Sequence, residues 1–257
     1  MCRWLAYSGK PIFLDSLLFE PENSLIEQSL HASKTTTTIN GDGFGLGWYG
    51  ERDRPGLYRD ILPAWNDSNL KSIAHQIQSG LFFAHVRAST GTPISRENCH
   101  PFSYKNWMFM HNGQIGNYDT VRHDLEMSLE DKLYAHRLGS SDSELIFLLM
   151  INNGLETNPI DALKKTVCQI LAAMNDKSAD EPLRFTACLS NETETIAVRF
   201  ANDEMAPSLY MRNTDDQIII ASEPLNPNME GGHCTRLAQS QYIHIRNGET
   251  HHGDFHP

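Results

Sequence analysis

The sequence predicts an α+β fold of stacked layers, and three observations point to it. Short runs of β-branched and aromatic residues recur on both sides of a helix-rich middle. Apolar residues at helical spacing concentrate in that middle. Strands and helices do not alternate strictly, as the crossovers of a doubly wound parallel sheet would require. Taken in order, the opening run Cys2-Arg3-Trp4-Leu5-Ala6-Tyr7 is too apolar and aromatic for a loose tail and reads as a buried strand. A helix follows over 23–32. The stretch NGDGFGLGWYG at 40–50 reads as an Asp-Gly turn and then a strand with small residues on one face. A helix over 68–79 precedes strands over 81–86 and 107–110.

Helices are expected over 120–133, 143–152 and 159–174. The last carries Ile160, Leu163, Val167, Ile170, Leu171 and Met174 on one side, with Asn158 as N-cap and Pro159 in its first turn. The polar segment 175–182 reads as a surface loop. Strands then recur over 185–189, 195–200, 218–221 and 242–245. The tail over 251–257 carries three histidines and reads as a frayed, solvated end in preference to a metal site.

The 257 residues suffice for one large domain or two small ones, with a sizeable core. Lysine and arginine total 21 against 32 acidic residues, a formal charge of −11, and no basic run stands out. Nucleic acid and anionic membranes are therefore poor partners, because both are recognised largely through clustered cations. Five scattered cysteines with no CxxC pair argue against a disulfide framework or zinc knuckle and for a reducing compartment. No signal-peptide core opens the chain, and the longest apolar run, 145–151, is far short of the roughly 20 residues that span a bilayer. A soluble, cytoplasmic protein is expected.

Several short motifs have both a chemical and a structural reading. Cys2 follows a methionine of the kind commonly trimmed after synthesis. Trimming would place a thiol and a free α-amino group, with a pKa near 8, on one residue, so that nucleophile and base come together. Arg87, in FAHVRASTG, offers a guanidinium fork beside hydroxyl donors, a way to hold a carboxylate; a salt bridge at a strand end is the structural alternative. His100, before Pro101, is either a base or a hydrogen-bonded loop residue. In His111-Asn112-Gly113, Asn-Gly is explained by a tight turn, yet an amide and the next N–H can also meet a developing oxyanion. Ser141 and Glu144 have capping-box spacing, leaving Asp142 either to complement the helix dipole or to receive an ammonium group.

In this order, MCRWLAYSG, NGDGFGLGW, FAHVRAST, His100-Pro101, HNG, Ser-Asp-Ser-Glu and ASEPL resemble the class II glutamine amidotransferases, which are N-terminal-nucleophile hydrolases. They are most similar to the small stand-alone subfamily, which includes γ-glutamyl hydrolases of thiol metabolism. The resemblance implies a four-layer αββα sandwich of two mainly antiparallel sheets and a single domain over 2–257 with Met1 removed. It implies Cys2 as nucleophile, Asn112 and Gly113 as oxyanion hole, Arg87 as ligand of the substrate α-carboxylate and Asp142 as ligand of its α-ammonium. Thr90 and His100 are implied to line the glutamine pocket. No metal or organic cofactor is implied. Two activities fit: a glutamine-using donor that hands ammonia to a separate synthase, and a hydrolase of γ-glutamyl peptides or thiol conjugates. A non-enzymatic binding module on the same fold is the third reading.

Overall fold

The computed structural model describes residues 2–31, 39–89, 91–226 and 234–257. In chain order its elements are β1 (Arg3–Phe13), α1 (Asp15–Leu18), α2 (Leu25–Leu30), β2 (Phe44–Trp48), β3 (Gly56–Asp60), α3 (Ser68–Gln76), β4 (Gln78–Val86), β5 (Phe102–Tyr104), β6 (Trp107–Gln114), α4 (Tyr118–Met127), α5 (Asp131–Tyr134), α6 (Asp142–Asn152), α7 (Pro159–Asp176), β7 (Arg184–Ser190), β8 (Glu194–Ala201), β9 (Tyr210–Thr214), β10 (Gln217–Ala221), β11 (Cys234–Arg236), β12 (Gln241–Arg246) and β13 (Glu249–Asp254). One sheet has the order β11-β9-β10-β1-β4-β2-β3 and the other β13-β12-β8-β7-β6-β5. Neighbouring strands in both are antiparallel.

Alternation along the strands builds the layers. In β1, Trp4 and Ala6 join Phe83, Met108, Met110, Cys188 and Ala197 in a core between the two sheets. Leu5 and Tyr7 point the other way and pack with Phe82, Ala84, Leu18, Leu25 and Leu70, under α1 to α3. On the far side, Phe109, Phe185 and Leu189 meet Val121, Leu145, Leu163 and Val167 of the helices α4 to α7. Both faces of both sheets are thus covered, which is why β1 reads as an unbroken apolar run where a half-exposed strand would alternate. The fold is α+β, two antiparallel sheets between two helical layers, as the sequence predicts.

Local differences have local causes. The helix expected over 120–133 is two, because the Ser128 hydroxyl donates to the Leu125 carbonyl and Asn152 Oδ1 takes the Glu130 N–H, ending α4 before α5 starts. The helix expected to reach 79 stops at Gln76, and Ser79 is already in β4, its hydroxyl donating to the Tyr49 carbonyl. The tail is not frayed: β13 pairs with β12 along its whole length, and Phe255 is fully buried edge-on against Phe200. The missed signal is Asn247-Gly248, both at positive φ, a two-residue hairpin turn. The α7 start stands as expected, with Asn158 Oδ1 accepting the Asp161 N–H.

Candidate active site

Cys2 lies at the end of β1, where the strand leaves its pairing with β4 at Arg3 and Val86. Its sulfur accepts the Ala88 N–H at 3.4 Å and its thiol reaches the Ala88 carbonyl at 3.5 Å. Burial pushes the thiol pKa above its ordinary value, against the pull of the Ala88 N–H and the nearby Arg87 and Arg3 cations. Arg3 anchors the strand end. Its Nη1 donates to the Cys2 carbonyl at 2.8 Å and its Nε pairs with Glu223 at 2.8 Å, both side chains being no more than 1% exposed. Next to it, the Trp4 N–H donates to Ser222 Oγ and the Ser222 N–H to the Trp4 carbonyl. The segment Ala221-Ser222-Glu223 therefore fixes where the thiol stands.

Arg87 follows β4 and is buried. Among the described residues it makes no ion pair; its guanidinium donates to neutral oxygens of Asp42, Ser89, Thr92 and Pro93, with Thr92 Oγ1 at 2.6 Å. Asp42, in the glycine-rich turn, accepts the Ser89 N–H at 2.7 Å and so ties this loop to β2. Asn98 holds the opposite wall: its amide donates to the Pro93 carbonyl and Ser140 Oγ, while its Oδ1 accepts the Ser140 and Ser141 N–H groups. Thr90 lies outside the described residues.

His100 is not a hydrogen-bonded loop residue. It is 4% exposed, stacked on His85 at 4.1 Å between centroids and edge-on to Phe102, with neither ring nitrogen partnered among the described residues. Burial, with the neighbouring His85, holds its pKa well below the ordinary histidine value, so the ring is neutral at pH 7. Gly45 explains how it gets there. A Cβ at Gly45 would meet the His100 carbonyl at 2.1 Å, so only glycine lets this loop approach β2 so closely.

Asn112 and Gly113 are not in a tight turn; β6 continues through both to Gln114, paired with β7. Gly113 sits at φ +157°, and a Cβ there would meet the Arg184 carbonyl at 1.7 Å. Gly113→Ala should therefore force β6 and β7 apart and destabilise the chain by about 1–3 kcal/mol, lowering Tm by roughly 2–4 °C per kcal/mol. Thermal unfolding checks this, and an unchanged Tm would show that the strands part freely. The Asn112 side chain is 1% exposed, and neither its Oδ1 nor its Nδ2 has a partner among the described residues.

Asp142 opens α6. Its Oδ2 accepts the Ile115 N–H at 2.9 Å and its Oδ1 the Ser143 N–H at 2.7 Å. The expected capping box is half formed. Ser141 Oγ does accept the Glu144 N–H, but the Glu144 carboxylate turns to the Leu138 and Gly139 N–H groups.

These elements surround a cavity of about 480 Å³. Cys2, Arg87, His100, Gly113 and Asp142 all line it, from five separate chain segments. Asn112 is not on its wall but is buried immediately behind, between two residues that are. Asn98, His111 and Ser143 also line it and carry no role in the sequence reading. His111 was legible as part of a motif; Asn98, a polar residue in a loop, gave no signal.

The model of the glutamine amidotransferases class-II matches residues 22–253. The chain belongs to the class II glutamine amidotransferases. Among its relatives in that family is a probable glutamine amidotransferase, DUG3, of Saccharomyces cerevisiae, 31% identical over 96% of this chain and 82% of the relative. A γ-glutamyl-hercynylcysteine sulfoxide hydrolase of Mycolicibacterium smegmatis is 26% identical over 87% and 88% of the two chains. The solved structure of a glutamine aminotransferase class-II domain protein from Silicibacter pomeroyi superposes with a TM-score of 0.78 at 33% identity, covering 100% of both chains. The family thus includes amidotransferases and γ-glutamyl hydrolases, and this amidotransferase-family chain has the αββα fold of N-terminal-nucleophile hydrolases. Among its described residues no helix is long and apolar enough to cross a membrane.

Proposed function

We propose that the chain is a γ-glutamyl amidohydrolase whose nucleophile is Cys2, exposed as the N-terminal residue once Met1 is removed. The observation that carries this reading is the cavity lined at once by a thiol, a guanidinium whose partners among the described residues are all neutral, and a carboxylate. Arg87 binds the substrate α-carboxylate and Asp142 its α-ammonium, so that binding far from the reacting carbon sets the attack geometry. The thiol gives its proton to the α-amino group as sulfur bonds to the γ-carbonyl carbon. Asn112 and Gly113 stabilise the oxyanion; an amide left unpartnered costs about 1–3 kcal/mol, which such a charge would offset. The C–N bond then breaks, the amine leaves with the proton, and water resolves the γ-glutamyl thioester to glutamate. His100 lines the pocket as a neutral wall.

Residues 2–257 act in this reading as one domain, in a cytoplasmic setting that suits five free cysteines. Two leaving groups fit the same centre: ammonia, passed to a separate synthase, and a larger amine of a peptide or thiol conjugate. The second is favoured by the size of the cavity and by a polar rim of Asn117, Thr120 and Glu181, which leave room for more than an amide NH₂. A panel of free glutamine and γ-glutamyl amides, incubated with protein of verified N-terminal mass, tests this. Cleavage of conjugates well above glutamine is expected; ammonia release confined to glutamine would reject the conjugate reading, and no turnover at all would reject both.

A further inference from the structure

His111 belongs to none of the roles above, yet it is 1% exposed at the cavity edge and both its ring nitrogens are engaged. Nε2 faces the Arg184 carbonyl at 3.2 Å. A carbonyl only accepts, so Nε2 carries the proton. Burial holds the His111 pKa below its ordinary value, against the pull of the Asp142 carboxylate and the Arg184 carbonyl, so the ring is neutral at pH 7. In a neutral ring Nδ1 is then the acceptor, and the Ser143 hydroxyl donates to it at 2.9 Å. Ser143 Oγ also stands 3.2 Å from Asp142 Oδ1, which takes the Ser143 N–H at 2.7 Å. The other Asp142 oxygen takes the Ile115 N–H.

The segment 111–115 is therefore fastened to the first residues of α6 at both ends. His111 is held through Ser143 at one end and Ile115 through Asp142 at the other. Between the two fastenings lie Asn112 and Gly113. We propose that this double fastening couples ammonium capture at Asp142 to the geometry of the oxyanion corner, with His111 and Ser143 as positioning residues. A substrate bearing an α-ammonium group draws on Asp142, and the pull is transmitted to the two donors through Ser143 and His111 without either touching the reacting atoms. The inference rests on the assignment of Asp142 to the substrate ammonium.

The test measures labelling rates of Cys2 by peptide-resolved mass, which separates it from the exposed Cys168, using three electrophiles on wild type, Ser143→Ala and His111→Gln. Diazo-oxo-norleucine presents the whole amino-acid head group, its deamino analogue lacks the ammonium, and iodoacetamide needs neither. Ser143→Ala should slow labelling by the first about 5–10-fold, the worth of one hydrogen bond. It should slow the deamino reagent less than about 2-fold and leave iodoacetamide unchanged. His111→Gln keeps an N–H for the Arg184 carbonyl but loses the ring acceptor, and should follow the same pattern. Equal slowing with and without the ammonium, or no slowing with either, overturns the coupling; Ser143→Ala decides alone if His111→Gln does not fold. Wild type labelled by iodoacetamide but by neither glutamine-like reagent would instead sink the γ-glutamyl reading beneath it.

Discussion

A Cys2→Ala variant keeps the wild-type Tm and loses γ-glutamyl turnover by roughly 10⁴-fold or more, the scale on which removal of a nucleophile acts. Stability should survive because the side chain contributes only its contacts to Ala88, while β1 is held by β4 from Arg3 onward and by β10 as well from Leu5. Activity should not, since no other described cysteine lines the cavity. Burial raises the thiol pKa, so little thiolate exists at neutral pH and ionisation must accompany attack. In the proposed mechanism the base is then the α-amino group, whose unperturbed pKa is about 7.7–8.0. Because it acts unprotonated, kcat/KM should rise with pH through about that range and be lost as pH falls below it. Turnover and labelling measured across pH check both parts. Retained labelling of the variant by diazo-oxo-norleucine would remove Cys2 from the reaction.

Glu223→Ala has the largest effect expected on stability. It leaves the Arg3 guanidinium buried beside Cys2 without its carboxylate, and breaking a buried pair from one side costs about 3–5 kcal/mol. Glu223→Gln should cost less, because an amide oxygen can still accept from Arg3 Nε. Replacing both partners with apolar side chains of similar volume should recover much of the loss. Denaturant unfolding of the three variants checks this order. If Glu223→Ala unfolds at the wild-type midpoint, the pair contributes nothing to the fold. The same variant frees the hydrogen bond from Arg3 to the Cys2 carbonyl, so turnover should fall in protein that remains folded.

The layers were legible because apolar runs such as 81–86 and 185–189 are short, strand-like and separated by a helix-rich block. The lone edge strands were not. β3, β5 and β11 are short edge strands, and are strands only because a neighbour supplies hydrogen bonds. In the site, the motif residues announced themselves by type: a cysteine near the start, an arginine after an apolar strand, Asn-Gly. What joins them did not. Asn98 bridges two loops 42 residues apart, and Glu223 meets Arg3 across 220 residues. Local sequence carries no trace of such partners. The reason for Gly45 was likewise hidden, since it is the close approach of the His100 carbonyl from another element.

The place of β1 between β10 and β4, in the middle of the seven-stranded sheet, has a consequence for motion. Chain ends usually fray first, and residues near them exchange their amide hydrogens through small local openings. Here the residue after the first is continuous with a strand bonded on both edges and packed on both faces. For the thiol to drift away, pairing would have to open in the most protected part of the sheet, at a cost approaching that of global unfolding. In the proposed reading, the nucleophile is thereby slaved to the unit of the sheet expected to open most slowly.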